Sequence, residues 1–201
     1  NGVRYAYITD MLRSLMLLIL FHCCLTMSFE SLLPQISKIQ LGTGGSGVAY
    51  LNMSVGLGAV MVSIAVAPIR NEKLRGHLLL MLGITSALSP LALAFTPHLV
   101  LAMIGAMCMS LSQAGFMIIA SSMIQSLVPD ELRGRVTSIY LLHAGGIMAF
   151  TNMANGRLGD SFNAGWILAI SGIGFLVVLF GSSLSNTTRG IYTSGIVKST
   201  N

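Results

Sequence analysis

From Gly76 to Pro129 not one residue is charged, and the stretch is apolar almost throughout. A soluble fold has no place for such a run, because its surface would need charges that the run does not hold. A bilayer does have a place for it: about 20 apolar residues, rising 1.5 Å each in a helix, span the hydrocarbon. The run is too long for one crossing, and Thr96-Pro97 supplies the turn that divides it. The rest of the chain has the same character. Hydrophobic residues make up 54% of the sequence and charged residues 8%, against about 25% charged in a soluble domain. The chain is therefore expected to be an integral membrane protein whose main partner is the lipid bilayer.

Six apolar segments can be laid out, at residues 14–33, 48–69, 77–95, 98–127, 136–156 and 164–184. Their apolar character is continuous rather than alternating, which favours helices over the strands of a barrel. Turn chemistry separates them, notably the glycine-rich loop 42–47 and the stretch 159–165. The expected organisation is a lead-in at 1–13, an all-α bundle of six transmembrane helices at 14–185, and a polar, poorly ordered tail at 186–201. Residues 1–13 lack the order of a signal peptide. The first residue is Asn rather than Met, which leaves open whether the sequence is a natural half or a fragment.

Charge then assigns sides. With six crossings, both termini share a face, and that face receives Arg4, Arg13, Arg70, Lys73, Arg75, Arg133, Arg135, Arg189 and Lys198. The opposite face receives only Lys38 and Arg157. Basic loops stay in the cytoplasm, so both termini are expected there, in a cell (inner or plasma) membrane. The net charge of +5 is explained by these loops. No run of Lys and Arg interleaved with aromatics is present, and nucleic acid is not expected as a partner.

Catalytic and metal motifs are missing. Cys23, Cys24 and Cys108 all fall within apolar runs, without Cys-x-x-Cys spacing or a disulfide framework; they read as small packed residues. No phosphate loop ending in Lys and Ser or Thr, no His-Glu-x-x-His and no Gly-x-Ser-x-Gly occurs. Neither an enzyme nor a cofactor nor a metal is expected.

The densest polar island is Val128-Pro129-Asp130-Glu131-Leu132-Arg133-Gly134-Arg135-Val136. Pro129 suits a helix start, and Asp130 and Glu131 follow at the positive end of the helix dipole. Taken alone, the island reads as a solvated loop that sets orientation. It also resembles the loop between helices ten and eleven of major facilitator superfamily transporters. Arg70-Asn71-Glu72-Lys73-Leu74-Arg75-Gly76 is similar to the short basic loop between helices eight and nine of that family. Gly2-Val3-Arg4-Tyr5 with Leu32-Leu33-Pro34 resembles the two ends of helix seven in its drug and siderophore exporter branch, and Asn155-Gly156-Arg157-Leu158-Gly159-Asp160 resembles the outer end of helix eleven. The order and sidedness of these pieces carry the resemblance over nearly the whole chain.

The resemblance implies the carboxyl half of a twelve-helix secondary transporter, built as two three-helix repeats of inverted topology. It implies a missing amino-terminal six-helix half, a small-molecule substrate, and coupling to protons with export by alternating access. In such a mechanism Arg70, Lys73 and Arg75, with Asp130, Arg133 and Arg135, would latch one state; the alternative is simple topology anchoring. A stand-alone six-span channel, or a membrane subunit of a larger complex, stands as the competing reading.

Candidate pathway residues are the polar groups within the apolar runs. Glu30 is the single acid among them, and a carboxylate there either serves a proton or cationic substrate or sits wet at the outer interface. His22 is either a proton relay or a hydrogen-bonded core residue. Asn52, Gln113, His143, Asn152 and Asn155 either line a cavity or bond between helices. Asn152 and Asn155 share a helix face. Gly56, Gly58, Gly145 and Gly146 are expected to allow close helix approach.

Overall fold

A computed structural model describes residue 5 and residues 7–196. Arg4, Lys198 and the Gly2-Val3-Arg4 part of the family resemblance lie outside the described residues. No strand occurs among the described residues, and the elements are helices throughout. Five helices are long and apolar enough to cross a membrane: Asp10–Gln40, Gly44–Val66, Glu72–Phe95, Leu99–Leu127 and Ala164–Ser183. They match five of the six expected spans, with ends shifted by a few residues. The segment expected as a span at 136–156 is helical, but it is not among the five.

The first span is not one regular helix. Helix α1, Asp10–Leu25, stops at an unwound stretch, 26–29; a 3-10 turn (Glu30–Leu32), a single α-turn (Leu33–Gln35) and a π-turn (Ile36–Gln40) then continue it. Pro34 sits in the first turn of the restart, where its lack of an N–H is harmless. Helix α2, Gly44–Val66, begins within the glycine-rich segment. Gly42 and Gly44 turn the chain at φ 64° and 59°, a region that favours glycine. The expected loop is thereby shortened, and the Ser37 hydroxyl caps the turn by donating to the Gly44 carbonyl at 2.5 Å.

Helix α3, Glu72–Phe95, is started by Asn71, whose side chain accepts from the Leu74 N–H at 3.1 Å, with Glu72 in the first turn. It runs through Pro90, which cannot donate to the Ser86 carbonyl one turn earlier. Helix α4, Leu99–Leu127, packs against both α2 and α3. At Gly58 the α2–α4 approach is so close that a methyl group would collide with the Met107 carbonyl. The other expected approach positions behave differently. Around Gly56 and Gly145 the space is open, and Gly146 faces only the Leu142 side chain.

Helices α5, Asp130–Leu141, and α6, Met148–Gly159, are two halves of a continuous helical rod joined by a π-turn at Leu142–Ile147. The rod meets the bundle mainly along the first span. Only Val136 and Gly159 within it are buried. Helix α7, Ala164–Ser183, packs on α3 and α1. Helix α8, Asn186–Ser194, lies in the region expected to be a poorly ordered tail. Its polar composition suggested a solvated strand of chain, yet Thr188, Ile191 and Tyr192 fall on one face and are buried. That face rests on α3, where Gly76 leaves room for the backbone of Ile191 and Tyr192. Gly195, at φ +70°, closes the helix against the Glu72 carbonyl.

Candidate functional site

Breaking a helix inside a membrane frees backbone groups that water cannot reach, so other partners must satisfy them. The break at 26–29 meets this requirement with side chains from two neighbouring rods. From α4, the Gln113 amide donates to the Thr26 carbonyl at 2.7 Å, and Gln113 is buried. From α6, the Asn155 amide donates to the Ser28 carbonyl at 2.6 Å. The Asn152 carbonyl oxygen accepts from the Ser31 N–H at 3.4 Å. The Ser28 and Thr151 hydroxyls are hydrogen-bonded to each other, and Ser28 also donates to the Cys23 carbonyl at 3.0 Å. Further along the restart, the Gln35 amide donates to the Gly159 and Phe162 carbonyls.

Three of the residues expected from sequence, Gln113, Asn152 and Asn155, thus converge on one point. Glu30 stands beside them as the first residue after the break, and it is exposed. The break itself, Thr26 to Phe29, was not anticipated from the sequence, nor were Thr151 and Gln35 as its partners. The signal that was there is the density of small hydroxyl residues, Thr26 and Ser28, directly before Glu30.

His22 lies elsewhere. It is fully buried, stacked on Phe116 with ring centroids 4.3 Å apart and edge-on to Phe175 at 5.0 Å. Its Nε2 is 2.9 Å from the Ser86 hydroxyl, so it ties α1 to α3. His143 sits in the π-turn of the α5–α6 rod, with its Nε2 3.0 Å from the Tyr7 hydroxyl. Asn52 is exposed on α2, next to the equally exposed Met53. These three residues are not part of the cluster at the break.

A groove of about 350 Å³ opens beside the Gln35 end of the cluster, lined by Ser31, Gln35, Lys38, Gly156 and Asp160. The Ser31 hydroxyl and the Gln35 carbonyl oxygen are buried there without a partner among the described residues.

On the opposite face, the charged loops are organised turn by turn. Asp130 pairs with Arg133 at 2.5 Å, and Glu72 pairs with Arg75 at 2.7 Å. Arg75 also donates to the Ser122 hydroxyl of α4 and is half-buried. Arg70, Lys73 and Arg135 are exposed. Asp10 and Arg13 form a third pair of the same kind at 2.8 Å. The three helices share an opening of acid, any residue, Leu, Arg: Asp10 to Arg13, Glu72 to Arg75 and Asp130 to Arg133. Each acid complements its helix dipole while the Arg one turn on closes the pair.

A multi-pass bundle of apolar helices, with an interrupted span held by polar side chains, defines an integral membrane protein. The profile of the transmembrane secretion effectors matches residues 1–189, and the chain belongs to this family of major facilitator superfamily transporters. No curated protein and no solved structure matches the chain.

Proposed function

We propose that the chain is the carboxyl-terminal half of a secondary active transporter that exports small molecules by alternating access. The observation that carries this reading is the break at 26–29, whose freed carbonyls are held by Gln113 and Asn155. A span interrupted within the membrane and bonded to its neighbours by exchangeable side-chain contacts is the kind of element that transporters place at a binding site. In this reading the α5–α6 rod is the sixth span. Its polar residues leave it less apolar than the others because one flank borders an aqueous path rather than lipid. The first three and last three spans then form inverted repeats, and an amino-terminal half covers the exposed flank of the rod.

In this reading Glu30, the acid next to the break, takes up the proton that drives export. Asn52 and His143 border the same path. The exposed Arg70, Lys73 and Arg135 reach towards the other half and latch the cytoplasmic side; Arg75, Asp130 and Arg133 hold their turns in shape for that contact. Both termini face the cytoplasm of a cell membrane.

Efflux of ethidium from cells expressing the intact protein tests the reading. Extrusion is expected to depend on the proton gradient and to be lost in Glu30→Gln. Extrusion that keeps its full rate and pH dependence in that variant removes Glu30 from the coupling. Cross-linking of the two cytoplasmic loops to the other half tests the latch, which fails if yields ignore the presence of substrate.

A further inference from the structure

We propose that Cys23, Met27 and Met117 form a binding site for a soft monovalent metal ion, Cu(I). This inference does not rest on the transport reading. The Cys23 thiol is fully buried and lies 3.9 Å from the Met27 sulfur and 3.9 Å from the Met117 sulfur. The three sulfurs come from different pieces of backbone: the last turn of α1, the unwound stretch 26–29, and the middle of α4. Three sulfurs bound at about 2.3 Å to one ion in a plane stand about 4 Å from one another. Both separations from Cys23 already have that length, so the thiol stands where a shared ion would bring it to either methionine.

The donor set selects the ion. One thiolate and two thioethers are soft ligands, suited to Cu(I) rather than to hard cations that need oxygen. Charge points the same way. On binding, the Cys23 S–H bond breaks, the proton leaves to water and an S–Cu bond forms, with copper remaining in its monovalent state. Thiolate and ion together are neutral, whereas a divalent ion on the same ligands would leave an uncompensated charge within the membrane. Met27 and Met117 are half-buried and so form the rim of the site. Met27 lies in the unwound stretch, where its backbone is not locked into a helix. The neighbouring His22 is engaged by Ser86, Phe116 and Phe175 and is not part of the donor set. Cys24 is half-buried and Cys108 is exposed, which provides two control thiols in the same chain.

The test is a titration of the detergent-purified, reduced protein with Cu(I) held by a chromogenic chelator of bicinchoninate type. One equivalent is expected to transfer to the protein, and X-ray absorption is expected to show a first shell of sulfur alone. Cys23→Ser should abolish the transfer, while Cys24→Ser and Cys108→Ser should retain it. Met117→Leu keeps the packing volume and should weaken binding by at least the order of tenfold that even supporting residues of a metal site are worth. It carries the test by itself should Cys23→Ser fail to fold. Unchanged affinity in Met117→Leu, a nitrogen or oxygen first shell, or transfer that requires Cys24 or Cys108 would overturn the proposal.

Discussion

The side-chain amide of Asn155 donates to the backbone carbonyl of Ser28 across 2.6 Å, joining the sixth helix to the gap in the first span. The bond exists because the chain unwinds at Ser28, and the unwinding is tolerable because the bond exists. Replacing Asn155 with Leu removes the donor and leaves the carbonyl bare. The expected loss is about 1–2 kcal/mol, the scale of hydrogen bonds between membrane helices. Thermal unfolding in detergent should show it as a lowered midpoint. Gln113→Leu should behave alike, and the double variant should approach the sum only if the two bonds act independently.

Gly58 and Gly56 provide a matched pair on α2. A side chain at Gly58 would collide with the Met107 backbone, while the space around Gly56 is open. Gly58→Leu is expected to destabilise the protein by about 1–3 kcal/mol, as overpacking does. Gly56→Ala should stay within about 0.5 kcal/mol of the parent. Equal effects in the two variants, read from the same unfolding curves, would contradict the α2–α4 crossing described above.

Tyr192 makes the docking of α8 sensitive to alkali. Burial raises its phenol pKa, against a smaller opposing effect of the Ser182 hydroxyl, 2.9 Å away. A raised pKa in the folded state means that the neutral phenol is favoured there. The resulting stability is fully present below the unfolded value of about 10 and is lost as pH rises through the folded value. Amide exchange across 186–194 should therefore accelerate above about pH 10 beyond its intrinsic base catalysis. Tyr192→Phe should remove that excess.

The apolar runs carry the membrane spans openly, because burial in lipid needs no pattern finer than continuous apolarity. Five spans were legible for that reason, and the family was legible from the charged loops at 70–76 and 128–136. The break at 26–29 was not. Leu25, Met27 and Phe29 are as apolar as a continuous helix requires, and the decision to unwind depends on Gln113 and Asn155, which are distant in sequence. Those two residues were recognisable as polar groups that must find partners, though not which partners. The α5–α6 rod was read as an ordinary span, yet its His143, Asn152 and Asn155 keep it outside the set of clearly apolar helices. Helix α8 escaped notice because Asn186, Thr187 and Arg189 dominate its composition, while Ile191 and Tyr192 supply its buried face.

Alternating access requires the α5–α6 rod to border a path open to each side in turn. Gly145 is the position to probe. It is exposed, a side chain there meets nothing within 4 Å, and it lies about 22 Å along the rod from Asp130 at 1.5 Å per residue. The measurement is labelling of Gly145→Cys by a membrane-impermeant maleimide, with Cys23, Cys24 and Cys108 replaced by Ser, in right-side-out and inside-out vesicles. Alternating access predicts labelling from both sides, while Lys38→Cys reacts only from outside and Arg133→Cys only from inside. Labelling of Gly145→Cys from one side alone, or from neither, would contradict it.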